Sequence, residues 1–215
     1  MRILIAGDSF GCGEWKDGQL THQGLSRHLM EQGHLVQNLS IPGGHHMQIV
    51  DSLQRHKIKK QYDFIFVFFT DVLRNVDPLT FWADLDDINF YRARYANDKK
   101  YFLKEYNRLK KKIYFIGGLS MITNEDVKDF KYLEIAHPSF YTLIEPSFKH
   151  PYSTWYEHLF PTIPSNISKK LLYQIDKEYR EQEKIKNHQY LPDGIHPDRH
   201  AHYALYEYLK KKFSF

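Results

Sequence analysis

The six residues FIFVFF, 64 to 69, constrain the chain more than any other stretch. They follow Asp63 and show no alternation of apolar and polar side chains, which suits a strand covered on both faces in the middle of a parallel sheet. Such a sheet needs crossover connections, and the flanking sequence supplies them. Residues 2–6 form a short buried strand bounded by Gly7, HLVQNLS (34–40) a second, and IYFIGG (113–118) and YLEIAH (132–137) two more. Thr21 is placed to cap a helix whose Leu25 and Leu29 are four apart, and Gly33 stands where a left-handed C-terminal residue is wanted. IPGGHH turns the second strand into a helix carrying Ile49, Val50 and Leu53. Strand, helix, strand, helix, strand is the order of an α/β protein with helices on both sides of a central parallel sheet of about five strands.

Two stretches fit this scheme less directly. Residues 78–111 predict a helical insertion after the third strand, with Phe102, Tyr106 and Leu109 at helical spacing; it either packs on the sheet or serves as a lid. Residues 137–166 carry five prolines and seven aromatic rings, Trp155 among them, and predict a long loop covering something. The chain closes on RHAHYALYEYLKKKF, where Ala201, Ala204, Leu205, Tyr208 and Leu209 predict one apolar helix face docked on the sheet.

A length of 215 residues suits one domain with a sizeable core and is short for two, so a single domain over 1–215 is expected. The formal charge of +4 comes from short clusters such as KIKK (57–60), RLKKK (108–112) and KKK (210–212), which sit at predicted helix ends and face solvent. No nucleic-acid-binding module accompanies them, so no nucleic-acid partner is expected. The lone Cys12 excludes an internal disulfide framework. MRILIAGDS has too short an apolar run for a secretory signal, and nothing approaches the roughly 20 apolar residues of a membrane span, so a cytoplasmic protein without a membrane partner is expected.

The chemistry concentrates at the two ends. In an open parallel sheet ligands bind beyond the carboxyl ends of the strands, which puts Ser9, Gly43, Thr70 and Asp71 along one rim. LPDGIHPDRH, before the last helix, sets Asp193 three residues ahead of His196. A serine hydroxyl becomes a nucleophile when a base takes its proton, and an imidazole base works best with a carboxylate holding its tautomer. Read singly, Ser9 could also be a turn serine capping a helix, and Asp193 a residue leading into one.

The pair GDSF (7–10) and DGIHP (193–197) resembles the first and last blocks of the SGNH (GDSL-like) hydrolase family, a likeness that spans nearly the whole chain. It implies a three-layer α/β/α sandwich of the flavodoxin-like kind. It also implies an ester hydrolase in which Ser9 is the nucleophile, His196 the base and then the acid, and Asp193 its orienting partner, with no metal or cofactor. The second block appears as NLSIPGG (38–44), where Gly43, or Gly44 if the turn is shifted by one, would offer an oxyanion N–H beside that of Ser9. The third block departs from the family: its Gly-x-Asn-Asp end is replaced by FFTDVLR, which puts Thr70 at the Asn position. Three readings follow: Thr70 donates to the oxyanion, Asn75 or Arg74 reaches in, or activity is weakened or lost.

Asp71, Arg74, His45 and Trp155 are candidates for touching substrate. Against this, Arg74 could pair with Asp71 or Asp77, and His45 or His46 could cap or cover the helix that follows. His196 and His200 are four apart, a metal-ligand spacing, but Pro197 marks a helix start after His196 and no HExxH or cysteine cluster accompanies them. Because the ring-rich 137–166 region would suit stacking on sugar faces, a small acyl group on a carbohydrate is the substrate favoured, with a short-chain lipid ester or thioester second. The rival from another class is a carbohydrate-binding or structural module on the same scaffold.

Overall fold

In the computed structural model the described residues are 1–16, 18–56, 62–72, 88–118, 120–144 and 196–215, with the backbone alone described for 88–92. In chain order their elements are β1 (Arg2–Ala6), α1 (Ser9–Cys12), β2 (Glu14–Lys16), β3 (Gln19–His22), α2 (Gly24–Glu31), β4 (Leu35–Asn38), α3 (His46–Arg55), β5 (Phe64–Phe69), α4 (Ile88–Arg108), β6 (Ile113–Gly117), α5 (Asn124–Val127), β7 (Leu133–His137), α6 (Phe140–Ile144) and α7 (Arg199–Phe213).

Five strands form one sheet in the order β4-β1-β5-β6-β7, and every pairing in it is parallel. The apolar run of β5 is explained by its two faces. Ile65, Val67 and Phe69 pack with Val50 and Leu53 of α3, Phe102 and Tyr106 of α4 and Val127 of α5. Phe66 and Phe68 pack on the opposite side with Leu25 and Leu29 of α2, Phe140 of α6, and Leu205 and Leu209 of α7. Each such side chain taken out of water stabilises the fold by about 1.5 to 3 kcal/mol, which is why a polar residue has no place in this strand. The result is an α/β sandwich of helix, sheet and helix layers.

Gly33 performs its predicted task. With φ at 82° it ends α2, its N–H donating to Met30 O at 3.0 Å and that of His34 to Leu29 O at 3.2 Å. Thr21 does not cap that helix: it lies in β3, its hydroxyl donates to Glu14 Oε1 at 3.0 Å, and α2 starts at Gly24, whose N–H donates to His22 Nδ1 at 3.1 Å. The reason is the antiparallel β2–β3 hairpin, whose Asp17-Gly18 sequence is itself a turn signal.

The helical stretch predicted over 78–111 contains α4, and Tyr95, Phe102, Leu103 and Tyr106 bury it in the core. It is therefore the crossover between β5 and β6, packed on the sheet; residues 78–87 lie outside the described residues. The aromatic stretch 137–166 begins with the end of β7 and with α6, whose Phe140 and Tyr141 are core residues, while 145–166 lie outside the described residues. In α7 the inward stripe is Ala201, His202, Leu205, Tyr206 and Leu209; Ala204 is exposed and Tyr208 half-buried. A histidine thus takes a place where an apolar pattern offered none. Among the described residues no helix is long and apolar enough to cross a membrane.

Candidate active site

The sheet order reverses at β1 and β5, since the chain leaves β1 for one neighbour, β4, and returns to the other. The crevice beyond the carboxyl ends of these strands is where an open α/β sheet takes its ligands. The stretch Gly7–Asp8 leads from β1 into α1, which Ser9 opens. Asp8 caps that short helix, its Oδ1 accepting from Phe10 N–H at 3.0 Å, so the carboxylate fixes the turn that displays the serine.

His196 arrives from the far end of the chain, just ahead of α7. Pro197 follows it, and the N-cap Asp198 accepts from Ala201 N–H at 2.8 Å. The His196 Nε2 lies 2.9 Å from Ser9 Oγ. With the ring proton on Nδ1 the hydroxyl donates and Nε2 accepts, which is the arrangement in which an imidazole can take a serine proton. Phe10 and Trp15 flank the imidazole, with ring centroids 5.6 and 6.2 Å away. Asp193, Arg74 and Trp155 lie outside the described residues.

The remaining rim residues divide. Beyond β4 the chain runs beside the end of β1, with Leu39 N–H donating to Ile5 O at 2.8 Å and Ile41 N–H to Gly7 O at 2.9 Å. This brings the two glycines to the same rim. Gly44 is buried and its N–H closes a turn on Ile41 O at 2.8 Å. Gly43 is exposed with φ at 68°, a left-handed value that suits glycine, and its N–H makes no hydrogen bond among the described residues. His45 caps α3 in a capping box: its Nδ1 accepts from Gln48 N–H at 3.4 Å, and its own N–H donates to Gln48 Oε1 at 3.1 Å. Asp71 is half-buried, two residues past the end of β5.

Thr70, one of three readings for the missing Asn, makes its bonds beneath the rim. It is fully buried, and its hydroxyl donates to Asp8 Oδ2 at 2.6 Å. A hydroxyl has one proton, and here that proton goes to the carboxylate under the Ser9 turn instead of toward an oxyanion. Its carbonyl accepts from His46 Nε2 at 3.1 Å. Since a carbonyl only accepts, Nε2 carries the ring proton, and Nδ1 accepts from the Tyr106 hydroxyl at 3.2 Å. Burial pushes the His46 pKa down to about 3 and that of Tyr106 well above its usual value, so the ring stays neutral and the phenol protonated. A buried polar chain, Tyr106–His46–Thr70–Asp8, thus supports the nucleophile's turn from below.

Sequence offered His46 only as a cap or cover for the helix that follows, not as a link in this chain of bonds, and Trp15 beside the imidazole was not singled out. The Trp15 indole N–H donates to Ser9 O at 2.9 Å, and only its nearness to the GDSF block hinted at a place in the site. Cys12 is buried, and burial first and then the Asp8 charge push its thiol up to about 12, which makes it inert at neutral pH.

No family model matches the sequence, and none of the curated proteins does. Solved structures do resemble this one. The psychrotrophic esterase EstA from Pseudoalteromonas sp. is 10% identical with a TM-score of 0.52, over 99% of this chain and 96% of that one. LAE5, an alpha/beta hydrolase enzyme from the metagenome of Lake Arreo, is 11% identical with a TM-score of 0.51, over 99% and 94%. A variant of Axe2, an acetyl-xylooligosaccharide esterase from Geobacillus, is 15% identical with a TM-score of 0.50, over 100% and 94%. At these identities the likeness is one of architecture, and it establishes that the chain has the α/β fold on which these enzymes are built.

Proposed function

We propose that the protein is a serine ester hydrolase of the SGNH type that removes a small acyl group, acetyl first, from a carbohydrate. The observation that carries this reading is the 2.9 Å approach of His196 Nε2 to Ser9 Oγ at the ligand-binding rim of the sheet, between residues 187 apart in sequence. In the reaction, Ser9 Oγ attacks the acyl carbon while its proton passes to Nε2 of His196. The tetrahedral intermediate collapses as His196 returns the proton to the departing alcohol, leaving an acyl-serine. Water, deprotonated by the same nitrogen, attacks the acyl carbon, and as that intermediate collapses His196 returns the proton to Ser9 Oγ, freeing the acid and the serine. The backbone N–H groups of Ser9 and Gly43 serve the oxyanion, and Asp193, in the DGIHP block, holds His196 in its tautomer. Thr70 supports the turn and is assigned no oxyanion bond.

The carbohydrate is favoured by the aromatic richness of the chain and by the architectural likeness to an acetyl-xylooligosaccharide esterase. A short-chain lipid ester or thioester is the second substrate class. One observation favours a weaker alternative, a binding module with little turnover: with the Thr70 proton committed to Asp8, the oxyanion has one side-chain donor fewer, and such a donor is worth about 2.7 to 4 kcal/mol of barrier.

A fluorophosphonate probe and p-nitrophenyl acetate decide among these. Wild type is expected to be labelled and to hydrolyse the ester, and Ser9→Ala to do neither. Wild type as inert as Ser9→Ala across short acyl esters and acetylated glycans overturns the hydrolase reading and leaves the binding module.

A further inference from the structure

We propose that the β2–β3 hairpin splints the base onto the nucleophile: Glu14 clamps Arg199, and with it the loop carrying His196, while the adjacent Trp15 grips the turn carrying Ser9. Glu14 and Arg199 are thus positioning residues, an assignment that rests on the hydrolase reading above.

The clamp is built from more bonds than an ordinary ion pair. Glu14 is buried, and its Oε2 accepts from both the backbone N–H of Arg199 and its Nε, each at 2.8 Å, while Oε1 accepts from Arg199 Nη2 at 3.1 Å and from the Thr21 hydroxyl at 3.0 Å. A surface pair of single contacts contributes little, whereas a forked guanidinium–carboxylate contact fixes orientation as well as distance. The backbone bond adds a further constraint. Arg199 is the first residue of the 15-residue helix α7, whose leading N–H groups lack partners within the helix. Asp198 meets the N–H of Ala201, and Glu14 meets that of Arg199. The carboxylate therefore holds the start of α7 itself, three residues after His196, and Pro197 stiffens the backbone between them.

The neighbouring residue completes the splint. Successive side chains of a regular strand point to opposite faces, so Glu14 and Trp15 would ordinarily serve different surroundings. The β2–β3 pairing shifts register between these two residues, an irregularity that re-aims side chains. Glu14 consequently reaches α7, while Trp15 turns its indole N–H to Ser9 O at 2.9 Å and its ring to within 6.2 Å of His196. Two adjacent residues tie together segments 185 positions apart. The hydrogen bonds of Arg199 hold the Glu14 carboxyl down at about 2, so the clamp stays ionised wherever an imidazole can serve as a base.

The test uses the full chain with Glu14→Gln, which keeps the shape and loses the charge, and Arg199→Ala, which trims a side chain already 49% exposed and so spares the fold. Two readouts are taken: nuclear Overhauser contacts from the His196 ring to Trp15 and Phe10, and kcat and KM for p-nitrophenyl acetate. Both variants are expected to lose the His196–Trp15 contacts with core methyl resonances unmoved. For both, kcat should fall by about 10- to 100-fold with KM nearly unchanged, the signature of a misplaced catalytic group. Arg199→Lys, which keeps the charge without the fork, should fall between. Folded Arg199→Ala protein that retains both the ring contacts and kcat overturns the proposal, whatever Glu14→Gln does. A wild type with no turnover defeats the hydrolase reading alone, and the ring contacts then decide by themselves whether the clamp holds the base.

Discussion

The two faces of the sheet each bury a histidine completely, and they treat it in opposite ways. On the α3–α4 face His46 stacks on Phe102 with ring centroids 4.6 Å apart, donates to the Thr70 carbonyl and accepts from the Tyr106 hydroxyl. On the α2–α7 face His202 packs edge-on against Phe140, its centroid 5.0 Å away, and lies so close to Gly24 that a Cβ there would sit 2.8 Å from its ring. Neither of its nitrogens makes a hydrogen bond of good geometry among the described residues, and the Gly13 backbone offsets its burial only slightly. Burial pushes both rings down to about 3. The same cost is met in one place by a network that reaches the Ser9 turn and in the other, among the described residues, chiefly by shape. A buried histidine is thus a structural link only where its nitrogens are used.

The largest consequence is one the two faces share. A ring with a folded pKa of about 3, against 6.5 when unfolded, binds its proton more readily in the unfolded chain. Its contribution to stability is therefore full above pH 6.5 and drains away as the pH falls toward 3. Two such rings give a slope of about 3 kcal/mol per pH unit in the middle of that window. Glu14 acts in the same direction lower down, between its ordinary 4.5 and about 2. Urea denaturation should show stability falling by about 6 to 7 kcal/mol between pH 7 and pH 4. A flat profile over that range would mean that neither ring is held neutral, and the contrast between the faces would have no basis.

Substitution at neutral pH separates them. His46→Leu removes both ring hydrogen bonds of the network and should cost about 2 to 4 kcal/mol. His202→Leu exchanges an unsatisfied polar ring for an apolar side chain of similar volume and should change stability by less than about 1 kcal/mol in either direction, while halving the acid slope. Equal losses from the two variants would break the comparison. A stabilised His202→Leu would sharpen it.

Sequence made the centre of the sheet legible because β1, β5 and β6 are short apolar runs, and the closing turn of α2 because Gly33 answers a local backbone need. What it could not show depends on contacts between distant segments. Glu14 and Arg199 are charged residues of ordinary kinds at opposite ends of the chain, and nothing in either neighbourhood announces the other. His202 was hidden for the same reason, since the glycine that leaves room for its ring, Gly24, lies at the other end of the chain. Ser9 and His196 were legible because both motifs are local. Thr70 was legible as a departure from a pattern but not in its bonding, because its partner Asp8 is 62 residues away on another strand end.

Thr70 carries a modest expected effect, and the one that separates support from catalysis most directly. A hydroxyl aimed at an oxyanion, replaced in Thr70→Val, would cost roughly 10² to 10³ in kcat and leave folding untouched. The bond seen here runs to the buried Asp8 carboxylate at 2.6 Å, a short charge-assisted contact, so its loss should appear first as stability, about 1.5 to 2 kcal/mol in urea denaturation. Thr70→Ser keeps the hydroxyl and should recover most of that. Turnover should follow stability in the series, declining modestly in Thr70→Val as the Ser9 turn loosens and returning in Thr70→Ser. A Thr70→Val protein as stable as wild type but a hundredfold slower would move this hydroxyl out of the supporting chain and back to the reacting atoms.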